Sequence, residues 1–401
     1  MRVVSSERSL ARVNSHWRYP LNFSLSEEQR LAIDGWRRHL QHKVLPITSA
    51  FLDRPFPKDV AHELLRLTIP YGVGSGWISE ADGGAGLDFL TSGLLFEELS
   101  RTSPDLGGVA WVTEGAALKI QSAGLPAIKE RYLPGLVSGD LIGCSATSEP
   151  EAGSNVREIK TRAERDGRNY RITGEKLWTS NATIADIALV VARTDARQYT
   201  MFLVDRREHG FEAKEISKLG LNGWSMGQLV FDDVVVPEEN IVGGIGGGLR
   251  ETMKGFERSR CFVSTLALGI AQSALDASVA YALQRKQFGK LIAGHQLIQG
   301  MLAEMVTDLE AARLLVYRAL WLLSTGTRCE LEAAVAKSFA TEAAQRISSK
   351  AIQIHGAIGL TREFPVERHF RDARLLTIPD GTTQINQLII GRKLTGIDAF
   401  G

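Results

Sequence analysis

Residues 366–392 read VERHFRDARLLTIPDGTTQINQLIIGR, two helical runs interrupted at Pro379-Asp380-Gly381. Proline removes a backbone donor and fixes its own φ, and glycine adopts angles that other residues avoid, so the chain is expected to break there. The break leaves one carboxylate, Asp380, where it can point into a cavity. Two readings of it stand. A short acidic side chain can N-cap the helix that begins near Thr382, or it can serve as a catalytic base. The rest of the chain bears on the choice.

The 401 residues suffice for two or three packed domains around a large core. With 47 basic and 46 acidic residues the formal net charge is +1, so no basic excess marks a nucleic-acid or membrane-surface role. Cys144, Cys261 and Cys329 are far apart, with no CxxC and no histidine at metal-ligand spacing, and read as reduced packing thiols of the cytosolic type. The weakly polar run over residues 262–283 contains Ser264, Thr265, Gln272, Ser273, Asp276 and Ser278, which suits a buried helix better than a membrane span. At the start, Arg2, Arg8, Arg12 and Arg18 stand against Glu7 alone. Residues 1–21 are read as an N-terminal extension of a cytoplasmic protein, with an organellar transit peptide and the mitochondrial matrix as the alternative.

Ser26 with Gln29 three residues later has the capping-box pattern, and a helix is expected from there to about Val44. Helical patterns follow over residues 58–67, 87–101, 107–124 and 126–137, making an all-helical layer over residues 22–140. Residues 141–245 change period. Short β-branched or alternating runs at 160–164, 170–173, 186–193, 200–204, 212–216 and 228–231, separated by turn signals such as Asp166-Gly167 and Asn222-Gly223, predict an antiparallel barrel or sandwich. The cluster GGIGGG at 243–248 does not fit GxGxxG and reads as a lead into the next helix. Helical periodicity returns over residues 246–401, with runs at 250–283, 295–323, 331–356 and the closing stretch. The class is α+β, in the order helical, β, helical.

Four segments carry chemistry of a consistent kind. Residues 144–155, CSATSEPEAGSN, put several hydroxyls at a strand-to-loop transition, which suits the polar edge of a heteroaromatic ring. Trp178, followed by Thr179 and Ser180, offers an indole to cover one face of such a ring. Residues 285–290, RKQFGK, flank an aromatic with cations and suit a pyrophosphate and an adenine. Residues 353–359, QIHGAIG, add an amide and glycines, with His355 read as structural.

Together with Asp380 these segments resemble, in order and spacing, the acyl-CoA dehydrogenase family from about Leu25 to Arg392. SEPEAGSN at 148–155 stands where the family has a TEPGAGSD-like segment; Trp178 and Ser180 match its W-x-T/S pair; LVFDDVVVPEENIVG at 229–243 matches LVFEDVxVPxxNxLG; RKQFGK with Gln296 matches RKxFGK…Q; and DGTTQIN at 380–386 matches EGTxxIQ. The resemblance implies an N-terminal all-α domain, a middle antiparallel β-barrel and a C-terminal four-helix bundle, with FAD at their junction and no metal. It implies that Ser145, Thr147, Ser148 and Ser154 line the flavin and the substrate carbonyl region, with Trp178 and Ser180 near the isoalloxazine. Arg285, Gln287, Phe288, Gln296, Gln353 and Gly356 would reach the pyrophosphate and adenine half from a neighbouring subunit, and Thr382 and Gln384 would contact FAD beside the base. Ser154, Glu257 and Arg260 match substrate-binding positions.

A shared site implies an oligomer, a homotetramer or a homodimer. The chemistry implied is α,β-dehydrogenation of an acyl thioester, on CoA or on an acyl carrier protein: Asp380 takes the α-proton, a β-hydride passes to flavin N5, and an electron-transferring flavoprotein accepts the electrons. The sequence departs from the family at the base, where most members hold Glu. The seat on the earlier helix used by some members is Ser259 here, and Glu257 is the weaker second candidate. Glu151 and Asn155 replace the usual Gly and Asp beside the flavin. Nitroalkane oxidases share the fold and use Asp at this position, so a related oxidase is the first alternative, and a non-catalytic flavin-binding member the second.

Overall fold

The computed structural model describes residues 25–399, so the expected extension over residues 1–21 lies outside the described residues. Helix α1 (Glu27–His39) starts at the capping box: Gln29 N donates to Ser26 Oγ at 3.1 Å and Ser26 N donates to Gln29 Oε1 at 3.0 Å. It continues through a π turn, Leu40–Val44, into Leu45–Thr48, where Pro46 prevents regular α bonding. Helices α2 (Lys58–Thr68), α3 (Phe89–Thr102), α4 (Pro104–Ala123) and α5 (Pro126–Ser138) complete the first layer.

The middle of the chain forms β1 (Gly143–Ala146), β2 (Arg162–Asp166), β3 (Asn169–Ser180), β4 (Ile187–Asp195), β5 (Gln198–Asp205), β6 (Glu212–Glu215), β7 (Met226–Pro237) and β8 (Ile241–Val242). They make one sheet in the order β6-β7-β3-β2-β4-β5-β8, with β1 on β4. The pairing is antiparallel as expected, except that β4 takes β1, and β2 at one position, in parallel. Strand β4 is buried on both faces: Ala188, Val190 and Ala192 enter one core, and Ile187, Leu189 and Val191 enter the core shared with α4 and α5. That explains its continuous apolar run. Strand β3 is longer than the run at 170–173 suggests, because bulges after Ile172 and Lys176 interrupt its alternation without ending its pairing with β7.

Helix α6 (Gly248–Ala282), a hairpin of β9 (Lys286–Gln287) and β10 (Lys290–Leu291), α7 (Gln296–Ser324) and α8 (Glu330–His355) follow, and the broken pair α9 (Val366–Leu376) and α10 (Thr383–Thr395) closes the bundle. The two helical layers share one core, in which Trp36 and Phe96 meet Phe262, Leu320 and Val366. Helices α3 and α6 approach so closely that a Cβ at Gly269 would lie 2.5 Å from Ser100 Cβ. The run at 262–283 is thus a core helix.

The Asn222-Gly223 turn signal lies between β6 and β7, yet it does not close a tight hairpin. Its loop docks on the helices: Gly223 N donates to Asp105 Oδ1 at 2.8 Å and Leu221 N donates to Asp372 Oδ1 at 2.5 Å. Asn181, buried and at φ 63°, ties the same region together. Its Nδ2 donates to Val109 O, Thr113 Oγ1 and Gly143 O at 3.1–3.3 Å, and its Oδ1 accepts from Trp224 Nε1 at 3.0 Å. Asn181→Ala strands these buried partners and puts a residue with no hydrogen-bonding side chain in a left-handed conformation. We expect a loss of about 2–4 kcal/mol in urea unfolding; a loss under about 0.5 kcal/mol would show that this crossing adds no stability.

Candidate active site

Between α9 and α10 the chain breaks at Pro379-Asp380-Gly381, and Asp380 is not the N-cap. Thr382 takes that role, its Oγ1 accepting from Ile385 N at 3.3 Å, so the Asp380 carboxylate is free of the helix. Asp380 sits at φ 55°, a conformation that costs a non-glycine residue roughly 1 kcal/mol. Two buried cations from other helices hold it there. Arg260 Nε on α6 donates to Asp380 O at 3.2 Å; Lys337 Nζ on α8 donates to Thr377 O at 2.9 Å and Gly381 O at 2.8 Å.

The carboxylate lies in a half-buried crevice beside the Ser259 hydroxyl, where it faces Lys337, Arg260 and Lys119. Burial raises its pKa above the ordinary carboxylate value, and this outweighs Ser259 and the three cations, which pull the other way. The same burial pushes Lys337 and Lys119 down to about 8. Sequence reading treated Ser259 as an empty seat and passed over Lys119 and Lys337. The signal available was a lone lysine within an apolar helical run, AALKI at 116–120 and AAVAKSFA at 333–340.

Ser145 on β1 belongs to this crevice, since its Oγ accepts from Lys119 Nζ at 2.8 Å. The loop beyond it is anchored from beneath. Buried Glu149 accepts from Lys160 N at 2.5 Å, Thr161 N at 2.9 Å and the fully buried Lys176 Nζ at 2.8 Å. Lys176 also donates to Thr147 O at 3.1 Å, and Leu177 N donates to Ser148 O at 2.9 Å, so the backbone is fixed while the Thr147 and Ser148 hydroxyls remain half-buried. Ser154 is exposed. Glu151 points outward to pair with Lys160, and Asn155 caps a short turn by accepting from Arg157 N at 3.3 Å. At the β3 bulge Trp178 adopts φ 59° and is 55% exposed, and Ser180 beyond it is half-buried beside Met226.

A second group is displayed on the surface. Arg285, Gln287, Phe288 and Gln296 are exposed on the β9–β10 hairpin and the start of α7, with Phe288 at φ 51° and 95% exposed. Gln353 and Gly356 are exposed at the end of α8. The two parts are joined through Tyr281, which stacks on buried His355 with ring centroids 4.3 Å apart; His355 Nδ1 bonds Ala351 O at 2.8 Å, the structural role expected of it. Gln384 is exposed on the first turn of α10. Glu257 faces away from this chemistry: its Oε2 accepts from Arg328 Nε at 2.8 Å and its Oε1 from Cys329 N at 2.5 Å.

Three family models match this chain: acyl-CoA dehydrogenase, N-terminal domain over residues 26–140, middle domain over 144–234 and C-terminal domain over 246–395. The acyl-CoA dehydrogenase of Bacillus subtilis (strain 168) is 37% identical over 360 residues, covering 88% of this chain and 93% of that protein. Butyryl-CoA dehydrogenase of Megasphaera elsdenii superposes with a TM-score of 0.89 at 33% identity, over 93% of this chain and 100% of that one. A glutaryl-CoA dehydrogenase from Mycobacterium smegmatis in complex with FADH2 superposes with a TM-score of 0.87 at 28% identity, over 94% and 97%. By fold, helical, β and helical layers in that order, and by these matches, the chain belongs to the acyl-CoA dehydrogenase family of flavin-dependent oxidoreductases acting on CH–CH groups.

Proposed function

We propose that this chain dehydrogenates an acyl thioester between its α and β carbons with Asp380 as the base. The observation that carries the reading is a single carboxylate freed from helix capping, held at a left-handed turn by two buried cations, with its pKa raised by burial. A raised pKa makes the ionised form a stronger base. Glu257 is unsuited to the role because Arg328 and Cys329 N occupy both its oxygens. Asp is about an ångström shorter than Glu, and a misplacement of that size costs about 100-fold in rate. The Arg260 and Lys337 bonds to the backbone of the turn restrict where the shorter side chain can reach, which supports a defined position for the base.

The residues present fit FAD. An open indole at the Trp178 bulge can cover a flat ring, the Thr147 and Ser148 hydroxyls line an anchored loop, and Arg285 beside Phe288 suits a pyrophosphate and an adenine. Ser145, Ser154, Ser180, Thr382 and Gln384 complete the contacts we assign to it. FAD, when bound, supplies the acceptor for the β-hydride. Asp380 removes the α-proton, and the negative charge that develops on the thioester oxygen needs donors. The backbone N–H of Asp380 has no protein acceptor among the described residues and is one such donor. Arg260 contributes positive charge beside it. The exposed Arg285, Gln287, Phe288, Gln296, Gln353 and Gly356 are assigned to the flavin of a neighbouring subunit in a homotetramer, and an electron-transferring flavoprotein is assigned as acceptor.

Anaerobic bleaching of the visible flavin band tests the reading directly. Bleaching by an acyl-CoA or an acyl-carrier-protein thioester is expected; bleaching by nitroethane alone would move the chain to the nitroalkane-oxidase reading. Asp380→Asn should keep the flavin and lose about 10²–10⁴-fold in the reductive rate, and an active Asp380→Asn would sink the assignment of the base. Because Asp380 works ionised, kcat/KM falls as pH drops through its raised pKa, so the acid limb lies above the ordinary carboxylate range. Ser259→Ala removes a donor to the ionised form and should move that limb to higher pH; an unmoved limb would separate Ser259 from the base. Arg285→Ala should weaken FAD retention and oligomer stability together in analytical ultracentrifugation, and loss of neither would contradict the shared site.

A further inference from the structure

Lys119 faces Asp380 and Arg258 stands beside Lys119, yet neither cation holds the Asp380 turn in place. Lys119 reaches from α4 onto α6 where Gly255 has no side chain; a Cβ there would lie 3.3 Å from Lys119 Cε. Arg258 and Ser259 follow Gly255 by three and four residues, so all three positions share one side of α6, and Ser259 neighbours Asp380. Lys119 therefore lies against the same side of the helix as Arg258, near the base.

The nearby carboxylates are already engaged. Glu251 is shared by Arg250 and Lys254, each at 3.1 Å, and Glu257 is held by Arg328 and Cys329 N. Lys119 has a neutral partner, Ser145 Oγ, and Arg258 makes no ion pair or hydrogen bond among the described residues. Both are half-buried, and each repels the other. Asp380 and Glu251 attract Lys119, and Glu257 and Glu251 attract Arg258, but each of these carboxylates already serves other partners. Two like charges drawn partly out of water, with nearby carboxylates attracting but not bonding either of them, are costly, and an anion bonded between them relieves the cost.

We infer that Lys119 and Arg258 bind a second anionic group of the substrate, a carboxylate on the acyl chain, so that the preferred thioester is that of a dicarboxylic acid. This rests on the thioester reading of Asp380. The phosphates of CoA are the other source of such an anion, and phosphate-free thioesters separate the two.

The test compares glutaryl with butyryl thioesters, on CoA and on N-acetylcysteamine, together with equilibrium binding of their non-oxidisable 3-thia analogues. The intact protein should favour the carboxylated ligand at least about tenfold on both carriers, the scale of one charge-assisted contact. Lys119→Met and Arg258→Met should each cut that ratio about tenfold, and Lys119→Arg should recover it. Equal affinity for the two 3-thia analogues in the intact protein, equal losses for both in the variants, or losses confined to CoA carriers would overturn the inference. Tight binding of the carboxylated analogue without flavin reduction by any thioester would support this site and defeat the dehydrogenase reading instead.

Discussion

Lys337 brings a fully buried ammonium into the bundle and satisfies it with two carbonyl oxygens, Thr377 O at 2.9 Å and Gly381 O at 2.8 Å, on either side of Pro379 and Asp380. An unpaired ammonium there would cost several kcal/mol, so α8 and the turn cannot separate without exposing that penalty. Arg260 does the same from α6 through Asp380 O. Two helices of the bundle thus specify the position of one backbone turn, and the left-handed φ of Asp380 persists because its surroundings leave it no alternative. Thr382 completes the arrangement by taking the N-cap that Asp380 would otherwise fill.

The electrostatics of the crevice follow from the same contacts. Three cations and a hydroxyl favour the ionised form of Asp380, and still burial wins and its pKa is raised. Burial also lowers Lys337 and Lys119 to about 8, so acid and bases are brought towards neutrality from both sides. That balance supports the role of base that we propose for Asp380. The β layer contributes rigidity: the buried Glu149–Lys176 pair holds the loop backbone from below and leaves its hydroxyls on the outer side.

Sequence motifs and the structure agree most closely where local chemistry decides the conformation. The Ser26–Gln29 capping box, the break at Pro379-Asp380-Gly381, the strand-to-loop transition after β1 and the core character of the apolar helix were all legible, because caps, prolines, glycines and hydrophobic period act within a few residues. Strand β3 was legible only in part, since bulges at Ile172 and Lys176 break the alternation that marks a strand.

What the sequence by itself determined is the order of layers and the identity of a lone carboxylate at a helix break. Whether that carboxylate caps a helix or faces a crevice depended on Thr382 competing for the same N–H groups, and on Arg260 and Lys337, 120 and 44 residues away in the chain, reaching the turn. Ser259 and Lys119 are silent in sequence for the same reason. Their meaning comes from α4 and α6 closing together at Gly255, a contact between distant segments that only the packed bundle creates.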